Sequence, residues 1–226
     1  MTVFERIDST AEKANVHIAQ KTRRMKVTLY AEGLKAKIRQ ADFALGRLLE
    51  LANLTDSVQQ STDAAPDAIL HEVYFYSDTF WAFSYSALDV LAQLTNQIMR
   101  FGITEREVSF KSLLNHLNGI ASPLRHKFQS CAQSHAFKNL DDYRNCSTHR
   151  RQICIVEKTT VETQTAGYVS TTAPPMATVV RLLCDNPLAL TPKYRQKRQV
   201  PGYMLDTQDK IICRIQSILR DLKPVR

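Results

Sequence analysis

Arg144, Asn145 and His149 stand in the string Asp142-Tyr143-Arg144-Asn145-Cys146-Ser147-Thr148-His149-Arg150, an Arg-x4-His spacing with an amide directly after the arginine. These three side chains suit proton transfer beside a phosphate. Histidine, with an unperturbed pKa of about 6.5, serves as base or acid at neutral pH. Arginine offers phosphate oxygens a planar, permanently charged fork, and the asparagine amide can orient either group. On a helix, Asn145 and His149 lie one turn apart on one face. Arg144 and His149, five residues apart, stand about 140° from each other round the axis. Either the long arginine side chain reaches round, or the helix bends, or a second copy completes the site. With 6 His, 17 Arg and 8 Asn in the chain, Arg-Asn followed by His at this or a neighbouring spacing is expected by chance roughly 0.05 times.

The surrounding charge fits a polyanionic partner. The chain carries a formal net charge of +8, and residues 141–226 hold 14 Lys/Arg against 8 Asp/Glu, or +6 of that total. Arg150 and Arg151 follow the motif and are candidates for gripping a substrate backbone. Lys193, Tyr194, Arg195, Lys197 and Arg198 interleave an aromatic ring with four basic groups. That pattern suits phosphates with a base stacked on the ring; a solvated loop is the plainer reading. For Arg144 the plain alternative is an ion pair with Asp141 or a neighbouring helix, and for His149 a cation at a helix end.

Other chemistries lack support. The five cysteines, Cys131, Cys146, Cys154, Cys184 and Cys213, are widely spaced and odd in number, which suits reduced thiols better than a disulfide framework. No Cys-x-x-Cys or zinc-type spacing occurs, and His116 and His126 have no carboxylates spaced around them, so neither metal nor cofactor is expected. Phosphate-cradling glycine loops and a Gly-x-Ser-x-Gly elbow are absent too. No apolar run reaches the roughly 18 residues of a membrane span. Met1 to Lys26 lacks the apolar block of a signal peptide, which predicts a cytoplasmic protein.

Helices must position the motif. Residues 2–53 read as helical, with Leu29, Leu34, Ile38, Ala41, Leu45, Leu48 and Leu51 as the inward stripe. A long helix is predicted from about 65 to 101, Pro66 in its first turn and Gly102 at its stop. Its stripe runs through Ile69, Val73, Tyr76, Phe80, Phe83, Ala87, Leu91, Leu94 and Ile98. The aromatic density of Tyr74, Phe75, Tyr76, Phe80, Trp81, Phe83 and Tyr85 exceeds one face: core is the default, a dimer surface the runner-up. Thr104 to Glu107 reads as a capping box for the next helix, Ser122-Pro123 as the start of another, and Ser134 as the cap of a last bundle helix through about Arg150. Ala136, Leu140 and Tyr143 should face inward from that helix. Residues 151–185 read as a β-hairpin or small sheet, with strands near 153–161, 168–172 and 178–184. Residues from about 206 to 222 read as a terminal helix through Ile211, Ile212, Ile215, Ile218 and Leu219. The division expected is a helical bundle over 1–150 and a β-hairpin plus C-terminal helix, packed on it, over 151–226.

The motif and its place on the last helix of a bundle are similar to those of the HEPN superfamily, in particular its long-helix subset, with the likeness carried mainly by residues 65–150. That resemblance implies a mainly α, up-and-down helical bundle, here with a small C-terminal β element and a terminal helix. It implies a metal-independent endoribonuclease, since RNA brings its own 2′-hydroxyl nucleophile. His149 would be base or acid, Arg144 would stabilise phosphate charge, and Asn145 would orient. It also implies a homodimer whose two motifs meet across a two-fold axis, RNA as partner, and often a toxin or phage-defence role under an inhibitory or activating protein partner. Other members of the superfamily are non-catalytic modules binding RNA, a nucleotide or a protein, and that alternative stays open here.

Overall fold

The computed structural model describes residues 1–57, 66–120, 122–149, 154–162, 176–184, 198–199 and 202–223, with side chains over 1–52, 71–120, 122–145 and 202–223. The elements are helices α1 (Val3–His17), α2 (Lys21–Ser57), α3 (Pro66–Met99), α4 (Phe110–Leu117), α5 (Pro123–Gln133) and α6 (His135–His149), strands β1 (Cys154–Glu162), β2 (Met176–Cys184) and β3 (Arg198–Gln199), and helix α7 (Gly202–Asp221). The chain is a mainly helical bundle. None of the described helices is long and apolar enough to cross a membrane.

The two longest helices form an antiparallel hairpin. Phe43 of α2 meets Tyr76 of α3 edge to face at 6.1 Å. At the other end, Arg23 donates from Nε to the Gln97 carbonyl at 2.7 Å and from Nη2 to that of Ile98 at 3.0 Å. The predicted stripes are largely the buried ones: Leu34, Ile38, Ala41, Leu45, Leu48 and Leu51 on α2, and Val73, Phe80, Ala87, Leu91, Leu94 and Ile98 on α3. Leu29 is a correction, being 66% exposed, because Val27 and Ala31 occupy the inner face there; two residues from each, Leu29 lies about 160° round the helix axis from them. Residues 2–53 are helical as expected, in two helices separated between His17 and Lys21. Of the aromatic stretch, Phe80, Trp81 and Tyr85 are core, while Phe75 is 64% exposed.

The shorter helices follow their caps. Ser122 accepts the Arg125 amide at 3.3 Å, with Pro123 opening α5. The expected helix at Thr104 is a correction: residues 105–107 form only a turn, closed by Thr104 Oγ1 donating to Glu107 Oε2 at 2.6 Å. The helix begins at Phe110, because Ser109 and Ser112 make the capping box and Asp89 accepts the Phe110 amide at 2.8 Å. At the end of α3, Arg100 adopts φ 58° and Gly102 φ 73°. The left-handed region costs a non-glycine residue about 1 kcal/mol, so Arg100 occupies a place where glycine would be cheaper.

α7 belongs to the same core. Met204, Ile211, Ile215, Ile218 and Leu219 are buried in one cluster with α1, α2 and α3. A polar bridge joins three helices: Ser84 donates to Gln208 Oε1 at 3.2 Å, and Gln208 Nε2 donates to Asp42 Oδ1 at 2.7 Å. Burial pushes the Asp42 carboxyl up, and the Gln208 hydrogen bond opposes it. The backbone of β1 pairs antiparallel with β2, from Cys154↔Cys184 to Glu162↔Met176, and β2 pairs with β3 at Leu183↔Gln199 and Cys184↔Arg198. The strand expected over 168–172 lies outside the described residues.

Candidate active site

Ser134 starts α6, its Oγ accepting the Phe137 amide at 3.2 Å. Ala136, Phe137, Leu140 and Tyr143 then turn inward and are buried. Tyr143 stacks on Trp81 of α3 at 4.3 Å with the rings 6° from parallel, and both side chains are fully enclosed. Tyr203 of α7 closes on that stack from 5.8 and 6.1 Å. This aromatic contact anchors α6 one residue before the motif begins. It therefore fixes the rotation of the helix, and with it the direction in which Arg144 leaves the axis.

Arg144 lies over a prepared surface. Its guanidinium carbon sits 4.9 Å from the centre of the Tyr85 ring, and its Nη1 donates to Asn145 Oδ1 at 3.3 Å. Phe137, Asp141 and Arg144 stand at i, i+4 and i+7 on α6, so they form one face. That face meets Tyr85 and Asp89, themselves one turn apart on α3, and Phe137 lies 6.1 Å from Tyr85. From α4, Lys111 donates to Asp141 at 2.7 Å and Phe110 donates its amide to Asp89.

The electrostatics follow from this assembly. Burial first, and then the nearby charges of Asp141 and Asp89, hold the Tyr85 hydroxyl protonated well above the ordinary phenol range, with Arg144 opposing them. Burial likewise raises the Asp89 carboxyl, while the Phe110 amide, Arg144 and Lys111 pull it back down. Arg144 is thus a half-buried cation among two carboxylates, a ring face and an amide oxygen. A guanidinium supported on several sides keeps its fork in one orientation, which lowers the reorganisation needed when an anion arrives.

The structure brings Arg144 and Asn145 together and makes His149 the last residue of α6. His149 follows Asn145 by four residues on that helix, hence on the same face. The side chain of His149 lies outside the described residues, as do Arg150, Arg151, Lys193, Tyr194, Arg195 and Lys197 altogether. Arg198 begins β3, where only its backbone is described. Sequence reasoning offered Asp141 or a neighbouring helix as the partner of Arg144: Asp141 pairs with Lys111, and the helix is α3, whose Tyr85 and Asp89 were not tied to Arg144. Their i, i+4 spacing on a predicted helix was available as a signal, but nothing in it pointed at Arg144. Among the described residues no three His, Cys, Asp or Glu side chains gather as metal ligands.

The family model of the Cthe2314-like HEPN domains matches residues 17–174. Neither a curated protein nor a solved structure matches the chain. The matched segment runs from the end of α1 through α6 and β1, so it extends well beyond residues 65–150, where the likeness was first apparent, and it contains the whole motif. It covers more than two thirds of the 226 residues, and the chain therefore belongs to the HEPN superfamily.

Proposed function

We propose that the protein is a metal-independent endoribonuclease whose active site is built from Arg144, Asn145 and His149 of two copies. What carries this reading is the held guanidinium: Arg144 is fixed over Tyr85 and tied to Asn145, one helical turn before His149. In the reaction, His149 takes the proton of a 2′-hydroxyl, whose oxygen attacks the adjacent phosphorus. The bond from phosphorus to the 5′-oxygen breaks, and a protonated histidine supplies the proton to that leaving oxygen. The products are a 2′,3′-cyclic phosphate and a 5′-hydroxyl. Arg144 neutralises charge on the non-bridging oxygens as the phosphorane forms, and Asn145 orients the arginine. Two histidines are wanted at once, one as base and one as acid. One helix supplies a single His149, and its 140° offset from Arg144 leaves that face short of a partner. A two-fold dimer with both α6 ends in one cleft meets both needs. Arg150, Arg151 and the basic run from Lys193 to Arg198, which leads into β3 of the C-terminal β element, would hold the backbone of the RNA. The toxin or phage-defence setting, with a controlling protein partner, follows from the family resemblance.

A second reading has one observation in its favour. The half-buried Asp89 carboxylate interacts with the Arg144 charge within the monomer, so part of that charge is compensated without any ligand. On that reading α6 is braced for packing, and the domain binds RNA, a nucleotide or a protein without cleaving.

The deciding experiment is cleavage of an end-labelled single-stranded RNA in EDTA by the wild type, His149→Ala and Arg144→Ala, with oligomeric mass measured for each. Catalysis predicts cyclic-phosphate ends for the wild type, their loss in both variants, and an unchanged dimer. Equal cleavage by all three proteins, or none across several RNAs, moves the conclusion to the binding module.

A further inference from the structure

At the far end of the α2–α3 hairpin lies an open cavity of about 560 Å³, lined among others by Gln20, Arg23, Asn96, Gln97, Arg100 and Ile103. Among the described residues no carboxylate lines it. The nearest acid in the α3–α4 connection, Glu105, is already taken by Lys26 and Tyr30. Arg23 spends two of its five N–H groups on the Gln97 and Ile98 carbonyls, which quiets the negative end of α3 and leaves three donors. Arg100 stands beside it in the left-handed conformation, so the charge at this corner is kept at a backbone cost. The two guanidiniums feel each other: burial first, and then the charge of Arg100, lower the affinity of Arg23 for its proton. The amides of Arg23 and Arg24 both close on the Gln20 carbonyl at 3.1 Å, so the positive end of the 37-residue α2 opens at the cavity wall. Asn96 clamps the turn, donating to the Ile103 carbonyl at 2.8 Å and accepting the Ile103 amide at 3.3 Å. The corner is therefore rigid, cationic and rich in donors, and no carboxylate among the described residues lining it neutralises the charge.

We propose that this cavity is a phosphate-binding site, taking a phosphoryl group between Arg23 and Arg100 with the Gln20 and Gln97 amides as further donors. It is distinct from the motif. Arg144 sits over Tyr85, and from Tyr85 to Gln97 is twelve residues of α3, about 18 Å of helix. The phosphate can belong to a free phosphorylated small molecule or to an RNA strand, and the proposal does not depend on the chain cleaving RNA.

The test uses the full chain and pyrophosphate, followed by thermal unfolding at an ionic strength held constant with chloride. The wild type and Arg144→Ala should gain Tm with pyrophosphate. Arg100→Gly should gain none, although its Tm without ligand is no lower than that of the wild type, because glycine is at ease at that φ. Arg220→Gln, a cation of the separate basic cleft between α1 and α7, controls for bulk charge and should respond like the wild type. No gain beyond chloride in the wild type, or an equal gain in Arg100→Gly, would overturn the site. The source of the phosphate is then read by fluorescence anisotropy with a 2′-O-methyl hexanucleotide, which lacks the nucleophile. A loss of about fivefold or more in affinity for Arg100→Gly assigns the site to nucleic acid. Unchanged affinity alongside the lost pyrophosphate response assigns it to a free phosphorylated compound.

Discussion

Arg144→Ala should destabilise the protein more at neutral than at acid pH, and Asp89→Asn should return part of the difference. The guanidinium does two jobs in the folded monomer: it lies on the Tyr85 ring at 4.9 Å, and it offsets the half-buried Asp89 carboxylate. Losing a partly desolvated cation–π contact costs about 1 kcal/mol. Losing a compensating charge costs up to about 1 kcal/mol at the surface and 3–5 when buried, so about 2 suits this half-buried position. The expected loss is then about 3 kcal/mol at neutral pH. Asp89 has a raised pKa in the folded protein, so it binds its proton more tightly there than in the unfolded chain. Its contribution favours folding below the ordinary carboxylate pKa and is lost as pH rises through the raised value. Arg144→Ala pushes that value further up. Once the pH is low enough for Asp89 to have taken up its proton, the variant should lose only the ring contact, about 1 kcal/mol. In Asp89→Asn the Phe110 amide keeps an oxygen acceptor, and the buried charge at position 89 that Arg144 offsets is gone. The double variant should therefore lie about 1–2 kcal/mol above the sum of the two single effects. Urea unfolding at that lower pH and at about pH 7.5 on all four proteins measures this. An Arg144→Ala loss equal at both pH values, or strict additivity with Asp89→Asn, would refute the electrostatic account of how the arginine is held.

Three further outcomes are expected. Trp81 is the only tryptophan and fully enclosed against Tyr143, so its emission should be blue-shifted and resistant to acrylamide, and Trp81→Ala should cost about 3–5 kcal/mol in urea unfolding. Burial pushes the Cys131 thiol up to about 12 whereas Cys213 is exposed, so alkylation of the native protein near pH 8 followed by peptide mapping should label Cys213 well before Cys131. Gly102 holds φ 73° in open space, so Gly102→Ala should cost about 1 kcal/mol through backbone strain alone, read as a lowered Tm.

The bundle was legible because its signals are local and repeat. Leu34, Ile38, Ala41, Leu45 and Leu48 are buried at the very spacing that suggested a helix face, and Ser122 and Ser134 cap where a hydroxyl precedes a helical run. Leu29 misled for an instructive reason. Apolar type alone does not set phase, and the small Ala31 and the β-branched Val27 supply the buried turn instead. The Thr104 box failed through competition: in the structure Ser109 and Ser112, five residues on, make the capping box that opens the helix, and Asp89, distant in sequence, accepts the Phe110 amide. A tertiary hydrogen bond of that kind leaves no trace in a local pattern.

The candidate site divides along the same line. Arg144, Asn145 and His149 share one helix, so their mutual geometry could be worked out from helical rise and rotation alone. The groups that hold the arginine cannot be found that way. Tyr85 and Asp89 lie more than fifty residues upstream, and they reach Arg144 only because Trp81, one turn before Tyr85, stacks on Tyr143, the residue before Arg144. The stack sets the register of α6 against α3, and the register sets which side chains face the guanidinium. A change at Trp81 that spares the fold should thus disturb Arg144 without touching it. Trp81→Phe keeps a ring against Tyr143 but shortens the contact. On the proposed endoribonuclease reading, if catalysis depends on the held orientation, this variant should lose RNA cleavage well beyond what its loss of stability accounts for, whereas a guanidinium that finds its own place once RNA arrives would leave the rate per folded molecule unchanged.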